Sequence, residues 1–440
     1  MIHRRTFVIG FPSKDGGMMS VRRSEVSMLI GLTCTLTLSS CHLPYDGGTR
    51  RRSTMLGLDE PTVRVRIRRG VTVVNLDSTG DLIVGPAITA MPRQAFSPPV
   101  QVSRLRNGFQ VASPTGSRIL GQLPSLRITS TTNQAINVDG QAYPGQVSLH
   151  AFGDIASLRF DVVNHVPMEQ YLPGVLAREL YSHWHPAAFR AQAIAARSYA
   201  MTELARRRQT FDVESTTVNQ VYGGKTQNVK ARDAVRATQG VVLTYGGSVL
   251  PAYYSSCCGG IGQDASLAFP NGLDVPPLKG RYHGAWCAQS RLYRWGPIRR
   301  PTSMLARRIA AWGQAHRNPI AALRGIHRIT ISDRNRAGRP AQFTVVDNQQ
   351  GSYTLGPEVF RRACNHQESE LAVLPPDQRL HSSDVRVVVG PRNVVFSNGH
   401  GHGHGVGMCQ YGSEGLARAN YTESSILRFF YRGATIERVY

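Results

Sequence analysis

Between Tyr171 and Ala200 the chain reads YLPGVLARELYSHWHPAAFRAQAIAARSYA, and its one acid is Glu179. Val175, Leu176 and Leu180 flank that acid, and Tyr181 and Trp184 follow it. A carboxyl lodged among such groups loses hydration, which raises its pKa. A raised carboxyl pKa is what a general acid needs near neutral pH. An isolated Glu on a helix is more often a solvated surface charge, so the residue types permit this chemistry without requiring it. A second dense stretch, GHGHGVGMCQYGSEGLA, runs from Gly401 to Ala417. Its glycines permit positive φ and close approach of the chain to a ligand, which makes His404, Gln410 and Tyr411 candidates for the wall of a substrate groove. A tight turn with His404 satisfied in a core would need the same glycines. His400 and His402 extend the Gly-His alternation, but alternate residues rarely complete a metal site alone, and no metal is expected there.

The elements that must position these residues are legible as patterns. From about residue 61, short runs such as VRVRIRRGVTVVNL, LRITSTT and LRFDVVNHV alternate apolar and polar residues and are separated by Gly, Pro, Asn and Asp. Period-two alternation predicts β-strands joined by turns. Helical signals start at Met168, with Pro173 early enough to be tolerated in a first turn. A second helix is expected from Pro186 to about Arg206, where Phe189, Ala193, Ala196, Ala200 and Leu204 share one stripe and the alanines admit a close neighbour. KARDAVRAT, the segment 302–316 and SSILRFFYRG read as further helices, with strands between them. Helices mixed with mostly antiparallel strands, lacking a βαβ rhythm, predict an α+β fold. The expected organisation is an export signal at 1–41, a linker at 42–60, a β-rich region at 61–140 and a catalytic domain at 141–440.

The N-terminus suggests a compartment. Arg22 and Arg23 precede the apolar run Met28–Leu38, and Leu38-Ser39-Ser40-Cys41 follows. A basic segment, a short apolar segment and small residues describe a secretory signal rather than a membrane span. Cys41 stands where a bacterial lipoprotein carries its lipid, and translation from Met18 or Met19 would give the signal an ordinary length. The net charge of +23 is almost entirely arginine. Such a surface favours polyanions, and for an exported protein these are wall polymer or membrane, not nucleic acid. An arginine-rich genome would give the same charge. An oxidising compartment favours disulfides among Cys257, Cys258, Cys287, Cys364 and Cys409, with Cys258–Cys287 the preferred pair. A zinc site of Cys257, Cys258, His283 and Cys287 is the rival, and adjacent cysteines are poor spacing for a tetrahedral ion.

Taken together, Glu169-Gln170-Tyr171-Leu172, Gly174-Val175, Glu179, the run Ala188–Ala200, Val221–Gly224, Ala252–Ser256 leading into Gly259-Gly260, and GHGVGMCQYG at Gly403–Gly412 resemble the stage II sporulation protein D (SpoIID/LytB) family. The similarity covers most of 140–440, in the family's order. The resemblance implies a peptidoglycan lytic transglycosylase, needing no cofactor, that cuts between N-acetylmuramic acid and N-acetylglucosamine. It implies that Glu179 is the catalytic acid and base. It also implies substrate contacts from Gln192, Arg197, Tyr222, Ser255, Ser256, His404, Gln410 and Tyr411. Two departures stand out: the segment Thr216–Tyr222 lacks the His and Cys that hold zinc in some members, and the Cys257-Cys258 doublet replaces serine or a single cysteine.

The alternative class is a wall-binding protein or an activator of another wall hydrolase, and a scaffold in an envelope complex is a third. A hydrolytic glycosidase needs a second carboxylate facing Glu179, for which Glu169, Glu214 and Asp264 are the candidates.

Overall fold

The run VRVRIR becomes the strand Thr62–Val71, in which Val63, Val65 and Ile67 are buried and the arginines between them face the other way. Those arginines are held by carboxylates: Arg64 by Asp212, and Arg66 by Asp161 and Glu214. In this computed structural model the described residues are 59–440 apart from 88–91, 122, 153–157, 207 and 209. The expected export signal, Cys41 and the expected linker up to residue 58 lie outside them.

Thr62–Val71 is the second strand of a seven-stranded sheet, ordered Val213–Glu214, Thr62–Val71, Arg159–Pro167, Gln146–Phe152, Ser125–Ser130, Leu82–Pro86, Gln94–Phe96. Its pairings are antiparallel except at Val213–Glu214, which runs parallel to Thr62–Val71. A six-stranded antiparallel sheet lies within the same β-rich region, and one hydrophobic core runs from Val63 through Val235 without a break at residue 140. The molecule is α+β, with mostly antiparallel sheets.

Helix α1 (Met168–Glu179) starts at the residue the sequence indicated. Pro173 therefore falls in the second turn rather than the first, where it removes one i→i−4 hydrogen bond. Helix α2 (Pro186–Ala205) opens with Pro186 at its first position, and the His185 side chain caps it by accepting from the Ala187 amide at 3.2 Å. A helix apolar on all sides belongs in an interior, and α2 occupies one. Phe189, Ala193, Ala196 and Ala200 face the first core, while Ala187, Ala188, Ala191, Ile194 and Ala195 face a second core built with C-terminal elements.

A third core, from Ile298 to Phe396, has its own helices and antiparallel sheets. It is inserted between two halves of the second core. The insertion is closed by a parallel pair, Tyr254–Ser255 with Met408–Cys409, joining residues about 150 positions apart in sequence. No helix among the described residues is long and apolar enough to cross a membrane.

Candidate active site

Glu179 is the last residue of α1, and Leu180 turns the backbone into an extended conformation. Its half-buried carboxylate accepts two hydrogen bonds, from the Val221 amide to Oε1 at 3.1 Å and from Gln410 Nε2 to Oε2 at 3.1 Å. Burial raises its pKa above the ordinary Glu value, against the two hydrogen bonds, which favour the charged form. The carbonyl end of α1 disfavours negative charge as well. The result is a carboxyl that holds its proton more tightly than a free side chain while keeping two donors ready for its charged form.

The Val221 amide is placed by a buried network. Tyr171 on α1 donates its hydroxyl to Gln220 Oε1 at 3.0 Å, and Gln220 Nε2 donates to the Ala196 carbonyl of α2 at 3.1 Å and to the Tyr254 hydroxyl at 3.0 Å. Gly174 lets this segment lie against α1: a Cβ there would meet the Gly224 carbonyl oxygen at 2.3 Å. The Gly223 amide bonds the Gly174 carbonyl at 3.2 Å across that contact.

Gln410 reaches Glu179 because the parallel strand pair delivers it there, and it then begins helix α7 (Gln410–Arg418), the seventh α-helix among the described residues. Ser256 accepts the Tyr411 amide at its carbonyl, 3.0 Å, and the Ser255 hydroxyl accepts the Gly405 amide at 3.2 Å. Glu414 of α7 accepts from the His185 amide at 2.8 Å, tying α7 to the start of α2. The Tyr411 ring stands 5.0 Å from Trp184 and 6.2 Å from Tyr181, and Tyr181 is exposed. An exposed aromatic wall beside a desolvated acid suits the apolar face of a sugar ring.

The remaining sequence candidates take other places. Arg197 is fully buried and grips Glu169 with two bonds of 2.8 and 2.7 Å, with a third bond to the Val241 carbonyl at 3.0 Å. It braces α2 against the start of α1. Gln192 is fully buried, and its amide oxygen and nitrogen lack protein partners among the described residues. Tyr222 is buried with its hydroxyl donated to Asn164 Oδ1 at 3.0 Å. His404 Nδ1 accepts the Val406 amide at 3.0 Å, and burial pushes its pKa down to about 4, so it is neutral near pH 7. It lines a cavity of about 400 Å³ with Tyr253, Tyr254 and Phe269. Another cavity, of about 610 Å³, is lined by Glu169, Lys225 and Arg232 among others, and Glu179 is not part of its lining.

Each carboxylate considered as a partner for Glu179 is engaged elsewhere. Glu169 holds Arg197, Glu214 holds Arg66, and Asp264 accepts the Gly280 amide at 2.9 Å and pairs with Lys279. Glu169 lies ten residues from Glu179 on the same helix, a separation of about 15 Å. The groups that perturb Glu179 are burial, Val221 and Gln410; no second acid is among them.

The expected Cys258–Cys287 bond is absent: all five described cysteines carry free thiols, and these two sulfurs stand 3.8 Å apart. The strand pair also brings in Cys409, whose sulfur lies within 4.8 Å of those of Cys257 and Cys287. His283, the fourth member of the rival zinc set, is not in that group; its ring packs on Phe430 at 5.1 Å. Sequence reasoning missed the role of Val221 and Gln220. Val221 acts through its main chain, which leaves no side-chain signature, although the VYGG match marked the segment.

A family model described as stage II sporulation protein matches residues 157–245, the segment that supplies Glu179, α2 and Val221. A model of a domain of unknown function matches 278–407, which includes the inserted third core. The chain is 28% identical over 312 residues to an uncharacterized protein of Brachyspira hyodysenteriae, covering 70% of this chain and 76% of that one. It is 26% identical over 342 residues to the amidase enhancer of Bacillus subtilis, covering 71% of this chain and 47% of that protein, so it spans about half the enhancer's length. It is 26% identical over 308 residues to the stage II sporulation protein D of Bacillus amyloliquefaciens, covering 62% of this chain and 75% of that protein. Glu179, Gln220 and Val221 fall inside the matched segment and Gln410 falls outside it; residues 157–245 carry the stage II sporulation protein domain, and the chain is similar to proteins of the stage II sporulation protein D family.

Proposed function

We propose that the protein acts on the bacterial cell wall as a peptidoglycan lytic transglycosylase, with Glu179 as its single acid and base. The observation that carries this reading is a desolvated Glu179 held by two donors with no second acid perturbing it. Protonated Glu179 gives its proton to the glycosidic oxygen between N-acetylmuramic acid and N-acetylglucosamine as that bond breaks. Positive charge develops at the muramic C1, and the muramic C6 hydroxyl oxygen attacks it. The carboxylate, now charged and stabilised by Val221 and Gln410, takes the C6 hydroxyl proton. One proton leaves and one returns, no water is consumed, and the product ends in a 1,6-anhydro ring. A hydrolase of the ordinary kind would place a second carboxylate within roughly 5–9.5 Å, and Glu169, Glu214 and Asp264 are each committed to a cation.

On this reading the chain is exported, anchored by lipid at Cys41, and meets glycan strands outside the membrane, with 141–440 as its catalytic region. Gln410 and Tyr411 line the groove, and Ser255, Ser256 and Arg197 hold its walls. A second reading, a non-catalytic wall binder or an activator of another wall hydrolase, is favoured by the likeness to a protein named amidase enhancer. Purified wall sacculi separate the two. Release of soluble glycan by the wild type and not by Glu179→Gln supports the enzyme. Tight binding without release by either protein supports the binder.

A further inference from the structure

Four thiols that this chemistry does not use converge one residue from Gln410. Cys257 and Cys258 follow the strand Tyr254–Ser255, Cys287 follows Trp286, and Cys409 precedes α7. All four are at least 98% buried. Cys258 and Cys287 sulfurs are 3.8 Å apart, and those of Cys257, Cys287 and Cys409 lie within 4.8 Å of one another. Cys258 stands outside that trio but against it, its sulfur 3.8 Å from Cys287 and interacting with Cys409, while Cys257 interacts with both Cys287 and Cys409.

Zinc bound by four thiolates at about 2.3 Å sets the edges of its sulfur tetrahedron at about 3.8 Å. A disulfide instead needs about 2.05 Å and uses sulfurs in exclusive pairs, whereas here each doublet sulfur faces two others. Adjacent cysteines reach one point because the chain reverses just after them, with Gly259 and Gly260 at φ +69° and +98°. The Cys409 sulfur accepts two main-chain amides, Cys258 at 3.2 Å and Gly412 at 3.3 Å, the kind of donor that steadies a metal-bound thiolate. Cationic groups stand close by: Arg339 donates to the Cys258 carbonyl at 2.8 Å, and Arg294 to the Gly259 carbonyl at 3.1 Å. Their charge offsets the net negative charge that a tetrathiolate leaves on zinc.

We infer that Cys257, Cys258, Cys287 and Cys409 bind one zinc ion in a closed structural site that fixes the start of α7, and with it Gln410, against Glu179. The four thiols give up their protons as the ion enters, and no coordination position is left for a substrate. The site ties together three stretches separated in sequence, on either side of the inserted core. It is a different site from the zinc cluster that some family members carry near the segment matching Thr216–Tyr222.

The test is metal content of the full chain, purified with reductant and supplied zinc, a readout independent of glycan cleavage. One zinc per chain is expected, retained in Cys364→Ser, whose cysteine lies in the third core. Cys409→Ser should weaken zinc binding by more than about 100-fold. Should Cys409→Ser fail to fold, cobalt(II) in the unmutated chain decides, since four thiolates give the intense visible bands of a tetrahedral cobalt thiolate. Failure to hold a stoichiometric metal under these conditions, iron in place of zinc, an octahedral cobalt spectrum, or disulfides among these four cysteines in protein prepared with zinc would overturn the assignment.

Discussion

Glu179 meets two influences that keep its proton on, burial and the carbonyl end of α1, and two that welcome its charge, Val221 and Gln410. Replacing it with Gln removes the acid but keeps an oxygen for the Val221 amide. Cleavage should fall by about 10²- to 10⁴-fold or more, measured on purified glycan strands. Stability should move the other way. The folded pKa is raised above the unfolded value, so the stability linked to this proton is fully present below the unfolded Glu pKa and is lost as pH rises through the folded one. Glu179→Gln should therefore melt higher than the wild type at pH 7, with the gap closing in acid. Gln410→Ala removes a donor to the charged form, which pushes the Glu179 pKa further up. The alkaline limb of its pH–rate profile should shift to higher pH, with kcat reduced about tenfold; an unchanged limb would separate Gln410 from Glu179.

At the scale of elements, the site depends on how closely α1, α2 and the segment around Val221 approach one another. Gly174→Ala drives a methyl group toward the Gly224 carbonyl, 2.3 Å away, and should cost about 1–3 kcal/mol in denaturant melts while weakening catalysis through Val221. Arg197→Met leaves Glu169 unpaired beside α2 and should cost about 3–5 kcal/mol. A stable Arg197→Met protein with impaired substrate binding would instead place Arg197 at the ligand. Helices α1 and α2 were legible because Met168 and Pro186 open clear helical runs. Helix α7 was not: QYGSEGLAR carries two glycines and reads as a turn. It is helical because Gly415 seats against the Trp286 carbonyl, where a Cβ would meet oxygen at 2.0 Å, and because Glu414 is bound by His185 and Arg418. The contacts with Trp286 and His185 are long-range, and local pattern does not encode them. The meeting of Cys409 with Cys258 has the same origin, a parallel strand pair closed across the inserted core.

Across the whole molecule, the sequence exposed the α+β class and the position of Glu179, but not that one core joins the β-rich region to the residues around the site. VRVRIR reads as a strand anywhere; only its pairing with Arg159–Pro167 places it beside α1. The inserted third core was also hidden, because no Pro- or Ser-rich linker marks its ends and its boundaries are closed by glycine turns. The net charge of +23 suits a long anionic polymer. Wall binding should weaken as salt is raised from low to physiological ionic strength, in a co-sedimentation series, since exposed charges are screened over about 8–10 Å. The central claim is that one glutamate acts twice without water. Digesting glycan strands in ¹⁸O-labelled water and weighing the new muramic ends tests it most directly. The account predicts anhydro ends free of ¹⁸O and absent from the Glu179→Gln digest, whereas reducing ends carrying ¹⁸O would contradict it.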